Sequence, residues 1–168
     1  LDQIQAGACG AVAVTYVEFA SDVATVVGWT IIETDEDAES FAAAIEAAPK
    51  PKIGDMTNIR AGMSFAAEQL HTNGIDGLRR IVDVSTDGTA TEGGHPSAVR
   101  DLYGAREVPW TQRVIFNGLP IVKRKEDRAK IEAYFEKFII GFGGRLFPAS
   151  TLENFSDAIT QKIAQEIG

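Results

Sequence analysis

The segment Arg79-Arg80-Ile81-Val82-Asp83-Val84-Ser85-Thr86-Asp87-Gly88-Thr89 most limits what this chain can fold into. β-Branched residues between a pair of arginines and an aspartate–glycine step read as a buried strand that stops at a turn. In an open α/β sheet, ligands bind just beyond the carboxyl end of such a strand. Asp87 is placed at that edge, and Gly88 is expected to let the backbone turn sharply there. A second loop, Gly54-Asp55-Met56-Thr57-Asn58, brings a hydroxyl at Thr57. Carboxylate and hydroxyl together are hard oxygen donors, suited to magnesium or calcium rather than zinc. The same residues also have commonplace roles: aspartate before glycine forms turns, and a threonine ahead of an apolar helical run caps it.

A length of 168 residues suits one domain, here taken as 1–168, with room for a sizeable core. The net charge of −8 argues against nucleic acid or an anionic membrane, both of which need a basic face. Apolar runs such as Gly10 to Val17 are far too short to span a bilayer. Cys9 is the only cysteine, so neither an intrachain disulfide nor a cysteine-rich metal site can form.

The elements follow from periodicity. Gly10 to Phe19 and Val23 to Ile32 are β-rich and separated by Ala20-Ser21-Asp22, an antiparallel hairpin. A helix is predicted from Asp35-Glu36-Asp37 to Ala48, stopped by Pro49-Lys50-Pro51. Another begins at Thr57 or Asn58, carries Ile59, Met63, Phe65, Ala66 and Leu70, and ends at His71-Thr72-Asn73-Gly74. After the strand Leu78 to Ser85 come a helix over Ala98 to Glu107, a strand over Arg113 to Val122, and an amphipathic helix over Glu126 to Ile140. A short strand at Arg145 to Ala149 and a closing helix capped by Thr151 or Ser150, with Leu152, Phe155, Ile159 and Ile163 inward, complete the order. The expected core contains Val14, Val17, Ile81, Val82, Val84, Ile115 and Phe155. A hairpin followed by helix–strand alternation predicts an α/β sandwich with a mostly parallel sheet.

Catalysis has little support. Dinucleotide, phosphate-loop and nucleophile-elbow motifs are absent, and the single cysteine lacks a matched histidine. His71 and His95 read as solvated loop residues, and Lys123-Arg124-Lys125 as a solvated helix start. Asp83 is expected to pair with Arg79, Arg80 or Arg113.

The stretches Ala13 to Phe19, Arg79 to Ser85, Phe116 to Ile121, Tyr134-Phe135, Ile139-Ile140-Gly141 and Phe155 to Ile159 together resemble the von Willebrand factor A domain, and within it the bacterial DUF1194 family. That resemblance implies a doubly wound, mostly parallel sheet with one antiparallel edge strand and helices on both faces. It also implies a metal-ion-dependent adhesion site built from three loops: Asp-x-Ser-x-Ser after the opening strand, a threonine, and a strand-ending Thr-Asp-Gly. Thr57 matches the second and Asp87 the third, with Asp55 as an assisting or competing residue. Asp87-Gly88-Thr89-Ala90-Thr91 mimics the first motif but stands in the wrong place. The first motif and its central strand have no counterpart in Leu1 to Cys9, so the domain is expected to be N-terminally incomplete, with polypeptide upstream of Leu1. The implied function is magnesium-, manganese- or calcium-dependent binding of a protein that offers an acidic side chain, in the periplasm or outside the cell. An incomplete site would bind the cation weakly or leave it out. A metal-independent scaffold subunit is the alternative, and a hydrolytic enzyme is ranked below both.

Overall fold

The computed structural model describes residues 10–122 and 124–147. β1 (Val12–Phe19) and β2 (Val23–Ile32) form the expected hairpin, in register from Val12 opposite Ile32 to Phe19 opposite Val23, with irregular pairing between Val14 and Val17. α1 (Asp35–Ala47) opens on a capping box. The Thr34 hydroxyl accepts from the Asp37 N–H, while the Asp37 carboxylate accepts from the Thr34 hydroxyl and from the backbone N–H groups of Glu33 and Thr34. These bonds, the one from the hydroxyl foremost, hold the Asp37 carboxyl below its ordinary value. Ala48, ahead of Pro49, is extended and ends the helix.

α2 (Ile59–Thr72), β3 (Arg80–Thr86), α3 (Ser97–Gly104), β4 (Val114–Pro120), a 3₁₀ turn (Lys125–Asp127) and α4 (Arg128–Phe138) follow. β3 and β4 are parallel, from Arg80 opposite Val114 to Thr86 opposite Pro120. The described residues therefore form a mixed α/β structure with two small sheets, one antiparallel and one parallel. α2 packs against strands of both.

Burial explains the arrangement. Ile59, Met63 and Ala67 recur at helical spacing on α2 and meet Val82 and Val84 of β3, Val99 of α3, Val114 and Phe116 of β4, and Ile131 and Phe135 of α4. Phe19 at the end of β1 joins this cluster by lying against Gly62, where an added Cβ would come within 2.8 Å of its ring. On β2, the Trp29 indole N–H donates to Gln69 of α2 at 3.4 Å.

Several expectations shift. Val82 and Val84 are buried, but Val14, Val17, Ile81 and Ile115 are half-buried. The helix expected to reach Glu107 stops at Gly104, where an added Cβ would lie 2.8 Å from the Val114 carbonyl oxygen, so strand and helix end must touch. The helix expected from Glu126 starts as the 3₁₀ turn. Of the strand predicted at Arg145 to Ala149, only the bridge between Gly118 and Leu146 is seen, and Pro148 and Ala149 lie outside the described residues. The closing helix with Phe155 lies there too. No helix among the described residues is long and apolar enough to cross a membrane.

Candidate functional site

Three loops meet at the carboxyl ends of β1 and β3. The hairpin turn is joined to the 53–58 loop by hydrogen bonds from Asp22 N–H to the Ile53 carbonyl (2.8 Å) and from Asn58 N–H to the Ala20 carbonyl (2.9 Å). Met56 N–H adds a bond to the Ser21 hydroxyl at 3.3 Å. On the other side, Thr57 is tied to the loop that follows Asp87. Its N–H donates to the Thr91 hydroxyl at 2.9 Å, and its carbonyl accepts from Thr91 and Glu92 N–H at 3.0 and 3.3 Å. The structure thus joins the loop of Thr57 to the loop of Asp87, the two positions predicted from sequence. Thr91, part of the motif mimic, acts here as their link.

Local geometry sharpens two of the sequence readings. The chain bends at Asp87 and Gly88 as expected, without a positive φ at Gly88; Gly93 and Gly94 adopt positive φ, +77° and +74°, and a Cβ at Gly93 would run into the Asn58 side chain. The left-handed positions of this loop are therefore Gly93 and Gly94. The cap of α2 is Asn58, whose Oδ1 accepts from Ala61 N–H at 3.0 Å. Thr57 is thus relieved of capping, and its hydroxyl makes no hydrogen bond among the described residues.

Asp87 is exposed at the end of β3. The preceding Thr86 is fixed: its carbonyl accepts from Ile121 N–H at 3.0 Å and its hydroxyl from Gly88 N–H at 3.3 Å. Further along, Ala90 N–H donates to the Tyr134 phenol at 3.3 Å. Burial pushes that phenol's pKa up, so it stays protonated through the neutral range. His95 is exposed, as expected, and stacks flat on Phe138 with centroids 4.1 Å apart. The segments 20–22, 53–58 and 87–96 contain Asp22, Asp55, Asp87 and Glu92 but no lysine or arginine. Carboxylates therefore outnumber cations in these loops, with Lys52 and Arg60 adjoining them in sequence.

Asp83 lies away from this junction. Its carboxylate accepts from the Asn117 amide at 3.1 Å, and the buried Asn117 accepts in turn from Arg145 N–H at 2.9 Å. Arg80 and Arg113, expected as partners of Asp83, instead donate to backbone carbonyls: Arg80 to Leu70 and Thr111, Arg113 to Arg106 and Val108. His71 likewise faces two carbonyl oxygens, Ala67 at 2.7 Å and Gln112 at 2.9 Å. Sequence alone gave no hint of these contacts, because each joins residues far apart in the chain or depends on which carbonyls the fold leaves open.

Among the described residues no group of three or more histidine, cysteine, aspartate or glutamate side chains is gathered to hold a metal. A cation bound between Thr57 and Asp87 would need further oxygen ligands from water, another segment or a partner. The chain matches a family model over residues 1–168, the protein family of unknown function DUF1194, and belongs to that family. No curated protein and no solved structure gives a significant match.

Proposed function

We propose that this chain is a von Willebrand factor A-type domain that binds a protein through a divalent cation, magnesium or manganese, outside the cytoplasm. The observation that carries the reading is the state of Thr57. Its main chain is clamped by Thr91, its capping duty falls to Asn58, and its hydroxyl is left without a hydrogen bond among the described residues, beside the Asp87 loop. A hydroxyl held this way is an available hard donor. In this reading Thr57 gives a neutral oxygen, Asp87 gives an anionic one, and an acidic side chain of the partner takes an open coordination position.

The doubly wound sheet belongs to the same proposal. Among the described residues β1 pairs only with β2 and β3 only with β4, while α2 packs against both β1 and β3. Backbone groups along each remaining strand edge call for partners. A strand between β1 and β3 would join the two sheets into one and carry the Asp-x-Ser-x-Ser loop to the junction.

The same strand edges favour a second reading, a scaffold that takes a strand from another chain and holds no metal. Calorimetric titration of the polypeptide that completes the sheet with manganese, followed by partner capture with and without chelator, separates the two. Manganese binding lost in Asp87→Ala supports the adhesion reading. Unchanged binding in that variant, or capture indifferent to chelator, leaves the scaffold.

A further inference from the structure

The amino ends of β3 and β4 form a pole unlike the carboxylate-rich junction. Leu78 precedes β3, Trp110 precedes β4, and Phe142 follows α4; all three are exposed, Trp110 at 69% and Phe142 at 50%. The Trp110 loop is nevertheless well fastened. Gln112 and Arg113 N–H both donate to the Pro109 carbonyl, at 2.8 and 2.9 Å. The Arg113 guanidinium donates to the Val108 and Arg106 carbonyls, that of Arg80 to the Thr111 carbonyl, and the His71 ring meets the Gln112 carbonyl. An exposed tryptophan on an already ordered loop loses little freedom on binding.

Charge accompanies the rings. The guanidinium carbons of Arg113 and Arg106 lie 5.0 and 5.7 Å from the Phe142 ring centroid. Arg113 uses its N–H groups on carbonyls, whereas Arg79 and Arg106 donate no hydrogen bond among the described residues. In sequence, Asp76 and Glu107 adjoin these segments but are outnumbered by Arg79, Arg80, Arg106 and Arg113. Tryptophan, phenylalanine and arginine are the residues enriched at the centres of protein interfaces.

We infer that Leu78, Trp110 and Phe142, with Arg79 and Arg106, dock a short acidic segment of a protein partner. Its apolar side chains lie against the rings, and its carboxylates take the uncommitted guanidinium donors. Charge selects this occupant. A second copy docking through the same patch would set arginine against arginine, and an anionic bilayer would meet the chain's net charge of −8 over a wide face. A short segment senses mainly the charges within about 8 Å at physiological salt. The inference does not depend on the cation site.

The test is fluorescence anisotropy of a labelled synthetic peptide of alternating leucine and glutamate, with a lysine-for-glutamate peptide as control. The glutamate peptide should bind the wild-type chain and weaken as salt rises. Trp110→Ala, Phe142→Ala and Arg106→Gln should each weaken it roughly tenfold, at unchanged melting temperature. Equal binding of the lysine peptide, no binding of the glutamate peptide, or full affinity in all three variants overturns the proposal. So does finding instead that the three substitutions abolish only adsorption to phosphatidylglycerol vesicles or only concentration-dependent self-association.

Discussion

The β3–β4 half and the β1–β2 half of this molecule are built from equally β-rich strands, yet they are buried to different degrees. β4 is buried at every residue but Ile115, while every residue of β1 is half-buried and β2 buries only Ile32. α1, which packs on β2, buries none of its residues. The parallel pair has α2, α3 and α4 against it, whereas the hairpin is anchored to the core chiefly by α2. Strand propensity thus set the local conformation in both halves, and cover by helices decided where the core formed.

This contrast is open to test, starting where the effect is largest. Phe135 is fully buried and packs against Gly118 of β4. Phe135→Ala should cost about 3 to 5 kcal/mol, and Val17→Ala in β1 clearly less, when both are measured by urea denaturation. Equal losses would mean that the hairpin half is as tightly packed as the other.

A smaller effect is expected where the halves meet. Phe19→Ala removes the ring that lies on Gly62, at a cost of about 2 kcal/mol for a partly buried aromatic side chain. Its signature is local: amide exchange in β1 and β2 should speed up more than in β3 and β4. Uniform acceleration would show instead that the two sheets open as one cooperative unit.

Sequence periodicity made the hairpin, α1, α2 and β3 legible because those signals are local. The parallel direction of β3 and β4 agrees with the helix–strand alternation, but their residue-by-residue register was not legible, since nothing in either strand names a partner far along the chain. What stayed illegible in the site has the same origin. The Asp87–Gly88 step marked its bend locally, whereas the need for glycine at Gly93 arises from the approach of Asn58, a residue on another loop. Thr57 and Asn58 are adjacent cap formers, and only the direction of the entering chain decides which one serves α2.

The cation reading gives the next prediction. By that proposal Asp87→Ala should abolish manganese binding in the polypeptide that completes the sheet, and Thr57→Ala should only weaken it. Removing an anionic ligand loses a Coulomb attraction that a neutral hydroxyl never supplied. Isothermal titration ranks the two, and the reverse order would transfer the anionic role away from Asp87.

The smallest expected effect is the most selective. Asn58→Ala should destabilise the fold by about 1 kcal/mol, because Ala61 N–H loses its capping acceptor. Thr57→Ala should stay within about 0.5 kcal/mol of wild type, since the clamp from Thr91 engages the Thr57 main chain and leaves its hydroxyl aside. Thermal denaturation of the two variants without added metal reads this difference directly. A loss in Thr57→Ala as large as in Asn58→Ala would make the hydroxyl a structural group, and the cation proposal would lose the observation on which it rests.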